Sequence, residues 1–337
     1  MPEGFTLTLI AVLFLAVAFD YINGFHDTAN AIATSVSTRA LRPGWAIVMS
    51  AVANFFGALT GTAVAHTVGS GLVDTNVVES AAGQTLIAAA LIGAIAWNLL
   101  TWRLGIPSSS SHALIGGLLG AAFVAAGVGS WQMDGVVGKV LIPLVGSPLI
   151  GFTGGLLLMA LIFNVFRRAN PRRLNAVFRR LQVLSAGYMA FSHGSNDAQK
   201  TMGIMTLALV VAGVIDSFEV PLWVILTAAS AISLGTAAGG WRIIKTMGQK
   251  VVKLDPVHGF AAETTAATVI FGASHFGMPV STTHVISSAI MGVGSSDRLK
   301  TVRWGVARSI VTAWILTIPA SGATAGIAYL VLRPILG

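Results

Sequence analysis

Cysteine is absent from the 337-residue chain, which excludes a disulfide framework and any thiolate metal site. Charge is scarce. Asp, Glu, Lys and Arg make up 9% of the residues, against about 25% in a soluble domain. So few charged side chains cannot coat a water-facing surface. With 55% of the residues hydrophobic, the solvent that fits is lipid. Arginine is missing from the interior of the apolar runs, so no guanidinium fork awaits an anion there. The net charge of +8 raises the question of nucleic acid. The basic residues form no single face, however, but sit in short segments between apolar runs, and no nucleic-acid partner is expected. The first apolar run is not followed by a small-residue cleavage site and reads as a retained helix.

A helix needs about 20 apolar residues to cross a bilayer. Ten stretches qualify as spans or re-entrant segments: 5–38, 44–68, 81–102, 106–129, 139–166, 182–213, 221–241, 258–276, 280–294 and 304–333. The expected fold is an all-α integral membrane protein. The first and sixth stretches are longer than a crossing needs, and the ninth is short. The segments 81–129 and 258–294 can each cross fully or turn back as a hairpin. Placing the N-terminus outside puts every Lys and Arg except Lys139, Lys200 and Arg333 on the inner side, and leaves Asp74, Glu79, Asp134, Asp216 and Glu219 outside. The positive-inside rule then predicts a multi-pass protein of the cell (inner) membrane with both termini outside.

The two halves repeat each other. Gly24-Phe25-His26-Asp27 matches Gly194-Ser195-Asn196-Asp197, and Gly105-Ile106-Pro107-Ser108-Ser109-Ser110-Ser111-His112 matches Gly277-Met278-Pro279-Val280-Ser281-Thr282-Thr283-His284. A weaker match pairs Gly61-Thr62 with Gly235-Thr236. Residues 1–166 and 182–337 are read as the two membrane repeats and 167–181 as a basic cytoplasmic linker. An odd number of spans per half makes the second copy enter from the other side, giving an inverted-topology repeat.

Ionisable residues inside apolar runs are costly and mark function by default. Asp27 and Asp197 stand beside glycine, so each motif reads as a broken helix whose carboxylate faces a cavity and holds a cation or a proton. Capping of a half-helix is the structural alternative. Pro107 and Pro279 suit the first turn of a helix. Ser109, Ser110, Ser111, Ser281, Thr282 and Thr283 then add hydroxyl donors to free N–H groups at two helix starts, where an anion is favoured; ordinary N-capping is the alternative. Asn30 faces Lys200 across the repeat, and His26 faces Asn196. Histidine can shuttle protons, which puts His26 among the candidates and leaves His112, His284 and His193 as further possibilities.

On Asn23-Gly24-Phe25-His26-Asp27-Thr28-Ala29-Asn30-Ala31, on Ser192-His193-Gly194-Ser195-Asn196-Asp197-Ala198-Gln199-Lys200, and on the two Pro–hydroxyl–His motifs, the chain resembles the inorganic phosphate transporter (PiT) family over nearly its whole length. The resemblance implies low-affinity phosphate uptake by cation symport and a site at the interface of inverted repeats. Within the family the chain looks like the bacterial proton-coupled branch, which accepts phosphate complexed with a divalent metal. Sodium-coupled members carry Gly-Ala-Asn-Asp in both repeats, and this chain departs from them at His26 and Lys200.

The resulting expectation is alternating access. Phosphate is placed with Ser109, Ser110, Ser111, Ser281, Thr282, Thr283, Asn30 and Asn196. Asp27, Asp197, His26 and Lys200 handle the coupling cation or proton, and Asp27 and Asp197 hold any metal carried with the anion. No cofactor is expected beyond a coupling proton or sodium. Phosphate and the lipid bilayer are the partners, and a homodimer is left open. The rivals are a sulfate permease on the same scaffold, a sodium-coupled phosphate symporter, a passive channel, and an intramembrane hydrolase using Ser109 or Ser111 with His112. No enzyme is expected, since Ser and His so close on one segment rarely hold a nucleophile–base geometry.

Overall fold

The computed structural model describes residues 6–74, 77, 82–297 and 301–336. Glu79, Arg298 and Lys300 lie outside them. Twelve helices follow in two sets of six among the described residues. The first set is α1 (Leu7–Ser37), α2 (Pro43–Ala58), α3 (Ala63–Ser70), α4 (Gly83–Leu104), α5 (Ser110–Ala126) and α6 (Met133–Val165). The second is α7 (Pro171–Val211), α8 (Leu222–Ala238), α9 (Trp241–Gly248), α10 (Pro256–His275), α11 (Thr282–Asp297) and α12 (Trp304–Leu336). By length and hydropathy α1, α4, α6 and α12 are each able to cross a membrane, as are the bent pairs α2–α3 and α8–α9.

Close backbone contacts show the relation between the sets. A Cβ on Gly24 of α1 would lie 2.3 Å from the Ile232 carbonyl oxygen on α8. Its counterpart Gly194 on α7 would meet the Asn54 oxygen on α2 at 2.2 Å. These motif glycines therefore serve close packing. Both α1 and α7 run unbroken through them, contrary to the broken helices expected at that point. The breaks fall instead between α2 and α3, bent by 74°, and between α8 and α9, bent by 61°. The third expected correspondence is also displaced. Gly57 presses on the Phe191 oxygen and Gly235 on the Tyr21 oxygen, each at 2.0 Å from the built Cβ, so Gly57 is the partner of Gly235. Gly61 lies in the break between α2 and α3.

Residues 82–129 and 258–294 each fold as a pair of antiparallel helices. The chain entering α4 meets the chain leaving α5: Asp74 N donates to Ser130 O at 2.8 Å, and Gln132 N to Leu72 O at 3.0 Å. The ends of the second hairpin meet likewise, with Arg303 N bonded to Val251 O at 3.0 Å. Each tip is held by the other half. Thr246 on α9 donates to Gly105 O at 2.9 Å, and Thr67 on α3 donates to Gly277 O at 2.7 Å. Both tip glycines have positive φ, +66° and +63°, where a side chain would be strained. Each half thus contributes a long helix, a bent pair, a hairpin and a final helix. The final helices cross over, with α6 along α11 and α12 along α5.

Part of the expected linker is helical. Asn170 caps α7 by accepting from Arg172 N and Arg173 N at 3.0 and 3.4 Å, so 171–181 open α7. Two apolar clusters lie on either side of a polar layer. One takes Leu9–Phe19 of α1 with Ala198–Leu209 of α7, and the other takes Ala29–Ala33 with Met189 and Ala190. Large apolar side chains such as Ile142, Leu157, Ile315 and Leu330 are exposed on α6 and α12, as a lipid-facing surface requires. The protein is a multi-pass membrane protein.

Candidate functional site

The polar layer forms where the middles of α1 and α7 meet the tips of both hairpins. His26, Asp27, Asn30, Asn196, Asp197, Lys200 and the hydroxyl residues 109–111 and 281–283 are all at most 2% exposed. Such burial demands partners, and the partners show the same two-fold logic as the backbone. His26 Nδ1 lies 2.6 Å from Asp27 Oδ1, and its Nε2 is 3.1 Å from Thr101 Oγ1 on its own hairpin. Asn196 occupies the equivalent place and donates to Ser274 Oγ at 2.9 Å and Met278 O at 3.1 Å, again on its own hairpin. One turn on, Asn30 reaches the opposite hairpin and donates to Thr282 Oγ1 at 3.2 Å and Thr283 Oγ1 at 2.9 Å. Lys200 does the same in mirror sense, donating to Ser111 Oγ, to Val280 O at 3.1 Å and to Asp197 Oδ1.

Ionisable groups converge at the centre. Asp27, Asp197 and His193 each offer a ligand atom, all within 4.8 Å of one another. His193 Nε2 is 3.1 Å from Asp197 Oδ2, which also accepts from Thr282 Oγ1 at 3.2 Å. Two carboxylates and an imidazole at this spacing suit a borderline or hard divalent cation. The Lys200 ammonium already balances Asp197, so an added cation answers chiefly to Asp27.

The hydroxyl residues divide into two kinds. Ser109 Oγ accepts from His112 N at 3.1 Å and Ser281 Oγ from His284 N at 3.2 Å. These two are N-caps. Pro107 and Pro279 stand two residues before them, outside the first turn where the sequence places them, because the capping serine takes the boundary. Ser110, Ser111, Thr282 and Thr283 occupy the first turns themselves, with Ser110 Oγ lacking any partner. Ser111 Oγ donates to Val280 O at 3.3 Å, so the two tips touch. A cavity of about 110 Å³ approaches from one side, lined by Thr60, Gly61, Gln199 and Ser274. A larger groove of about 640 Å³ between α5 and α12 is apolar and lies away from this cluster.

A sequence profile described as the phosphate transporter family matches residues 23–325. The chain belongs to the phosphate transporter family. It is 49% identical over 330 residues to a probable low-affinity inorganic phosphate transporter of Bacillus subtilis (strain 168), covering 98% of each chain. A protein of the same description from Rhizobium meliloti (strain 1021) is 48% identical over 323 residues, with 95% of each covered. Among solved structures, a sodium-dependent phosphate transporter superposes with a TM-score of 0.90 at 27% identity, covering 98% of this chain and all of that one. The family and these relatives are transporters, not enzymes.

In this family member, contacts reveal several residues that the sequence reading passed over or left without partners. His193, in the sequence one of several further histidine possibilities, lies 3.1 Å from Asp197 Oδ2 through Nε2 and 2.9 Å from Asn54 Oδ1 through Nδ1. Asn54 in turn donates to Thr236 Oγ1 at 2.9 Å. Glu263 is fully buried on α10 and accepts from Thr34, Ser185 and Gln182, the last at 3.2 Å. Its sequence signal was an acidic residue in an apolar run, without a partner at the repeat position.

Proposed function

We propose that the protein takes up inorganic phosphate by proton-coupled symport through alternating access. The observation that carries this reading is the meeting of two hydroxyl-bearing helix starts, one from each half, around the Asp27–Asp197–Lys200 cluster. First-turn N–H groups and hydroxyls of Ser110, Ser111, Thr282 and Thr283 attract an oxyanion. Lys200 adds a fixed positive charge beside them. Asn30 orients the Thr282 and Thr283 hydroxyls, and Asn196 fixes the arm of the second hairpin. Ser109 and Ser281 hold the first turns in place. Phosphate, unlike sulfate at neutral pH, can itself donate a hydrogen bond to Asp27 or Asp197. A divalent metal travelling with the anion would be held as part of the substrate by Asp27, Asp197 and His193, its charge offsetting that of phosphate.

Proton coupling is favoured by Lys200. Its ammonium stands beside Asp197, where a mobile cation would otherwise balance the anion, and His26 bonded to Asp27 offers a route for a proton. The burial of every site side chain fits an occluded state, through which alternating access must pass. The basic ends are read as cytoplasmic, with both termini outside the inner membrane. A homodimer fits the exposed apolar faces of α6 and α12.

Sodium coupling is the second reading, favoured by the sodium-dependent neighbour. Radiolabelled phosphate uptake into proteoliposomes separates the two, with a pH gradient or a sodium gradient imposed in turn and excess sulfate as competitor. Uptake driven by an inward proton gradient and insensitive to sulfate is expected. Uptake driven by sodium alone refutes the proton assignment, and loss of uptake to sulfate moves the anion. Lys200→Asn is expected to change the cation dependence. Wild-type coupling and rate in that variant would remove the role given to the ammonium.

A further inference from the structure

Asp20 lies two turns before Asp27 on α1, about 10 Å along the axis and on nearly the same face. It is fully buried, at the edge of the polar layer next to Phe19. Neither of its carboxyl oxygens has a hydrogen-bond partner, and the Thr201 hydroxyl is equally unpartnered. Thr201 and Asn23 are the polar side chains that stand beside the carboxyl, and Asp197 and Lys200 act on it from α7. Among the described residues no other element offsets its charge: Arg242 and Lys245 belong to α9, which meets α1 at Phe25 and Ala33, beyond Asp20. Neither α2 nor α8 carries an ionisable residue. Arg103 of α4 and Glu263 of α10 lie toward the other end of α1, where Thr101 meets His26 and Glu263 meets Thr34.

The charges of the layer therefore do not balance. Asp197 has Lys200 and His193, and Asp27 has His26, but Asp20 forms no ion pair and has only the neutral Thr201 and Asn23 directly beside it. An ionised carboxylate so placed is strongly disfavoured. A protonated one is neutral and can itself donate, with the Thr201 hydroxyl at hand as acceptor.

Resting on the proton-coupled reading above, we propose that Asp20 is the site that takes up and releases the transported proton. An anion arriving between Ser111 and Thr282 adds negative charge beside Lys200 and weakens the only positive influence on Asp20. Anion binding then favours protonation, and protonation favours anion binding by the same factor, which is the coupling that symport needs. Departure of phosphate restores the influence of Lys200 and lets the proton leave. No bond other than O–H is made or broken.

The test uses the full chain in proteoliposomes and two readouts. Phosphate counterflow without a pH gradient needs only the loaded carrier to shuttle. Accumulation driven by a pH gradient needs the proton to come off. Asp20→Asn mimics the protonated state. It should keep counterflow within about twofold of wild type and lose pH-driven accumulation by about tenfold or more. Asp20→Glu should restore accumulation with a displaced pH profile. Full pH-driven accumulation by Asp20→Asn overturns the assignment. So does loss of counterflow in a variant that remains monodisperse and thermally stable, or loss of a sodium-driven component alone. Failure of the wild type to respond to a pH gradient removes the coupling reading and this assignment with it, whereas the variant results by themselves remove only the assignment.

Discussion

The middle of α1 and the middle of α7 occupy equivalent places and do different chemistry. Both present Gly, Asp and, one turn on, a donor that reaches the opposite hairpin. In α1 that donor is the neutral Asn30, and the carboxylate beside it leans on His26 at 2.6 Å. In α7 the donor is Lys200, and Asp197 is enclosed by Lys200, His193 and Thr282. The scaffold is two-fold while the charge is one-sided. Backbone packing needs symmetry to let two halves cradle one anion. Balance of a net anionic substrate needs a fixed cation on one side only.

The largest expected effect follows from that one-sidedness. Asp197→Asn leaves the Lys200 ammonium buried without its counter-ion and should destabilise the protein by about 3–5 kcal/mol, read as thermal unfolding of the solubilised protein, with uptake abolished. Adding Lys200→Asn should recover most of that stability without recovering transport. Asp27→Asn strands no fixed cation and should cost clearly less stability. Equal losses from the two aspartates would mean that the charges are shared and the contrast between the helices is illusory.

The backbone, by contrast, should respond equally on both sides. Gly24→Ala and Gly194→Ala each drive a methyl group into a carbonyl oxygen and should cost about 1–3 kcal/mol apiece. A large difference between them would break the two-fold account of the packing. Thr67→Ala and Thr246→Ala remove matching bonds to the hairpin tips, at about 1 kcal/mol each. They should bias the protein toward opposite openings. The cysteine-free chain lets single reporter cysteines read this by thiol labelling from either face.

The smallest effect concerns the hairpin bases, which also differ. Ala82 starts α4 with no side-chain cap, whereas Asp255 caps α10, accepting from Val257 N at 2.9 Å, His258 N at 3.0 Å and His258 Nδ1 at 2.7 Å. Partial burial pushes the Asp255 carboxyl up, but the His258 side chain and the two N–H groups outweigh it and hold the carboxyl below its usual range. A carboxylate lowered in this way stabilises the fold fully above the ordinary Asp range, and the contribution fades as pH falls through the lowered value. Asp255→Ala should cost about 1 kcal/mol near neutral pH and flatten the acid side of the stability profile.

Much of this arrangement was legible in the chain because polar residues stand out against apolar runs and recur at matched positions. That recurrence located Asp27, Asp197 and both hydroxyl runs. The same filter hid Asp20 and Glu263, whose positions in the other repeat hold Ala190 and Leu91. It named His193 without its partners, since the contact of that imidazole with Asn54 arises only when α7 lies against α2. Glycine was misread for a related reason. Its presence beside Asp27 suggested unwinding, but the need it meets is the approach of Ile232 O from α8, a contact with no local signature. The bond from Asp74 N to Ser130 O, which ties the chain entering α4 to the chain leaving α5, likewise has no local signature.

The tips clasped by the opposite half have a mechanical consequence. Thr67 and Thr246 act as two latches on one lock, one for each hairpin tip. Each is a single hydrogen bond of about 1 kcal/mol, and neither works alone: Arg242 Nη1 donates to Arg103 O at 2.6 Å beside the first tip, and Asn30 bonds Thr282 and Thr283 just beyond the second. On the alternating-access reading proposed above, a door with two such sets of catches stands open at both ends only when both sets let go together.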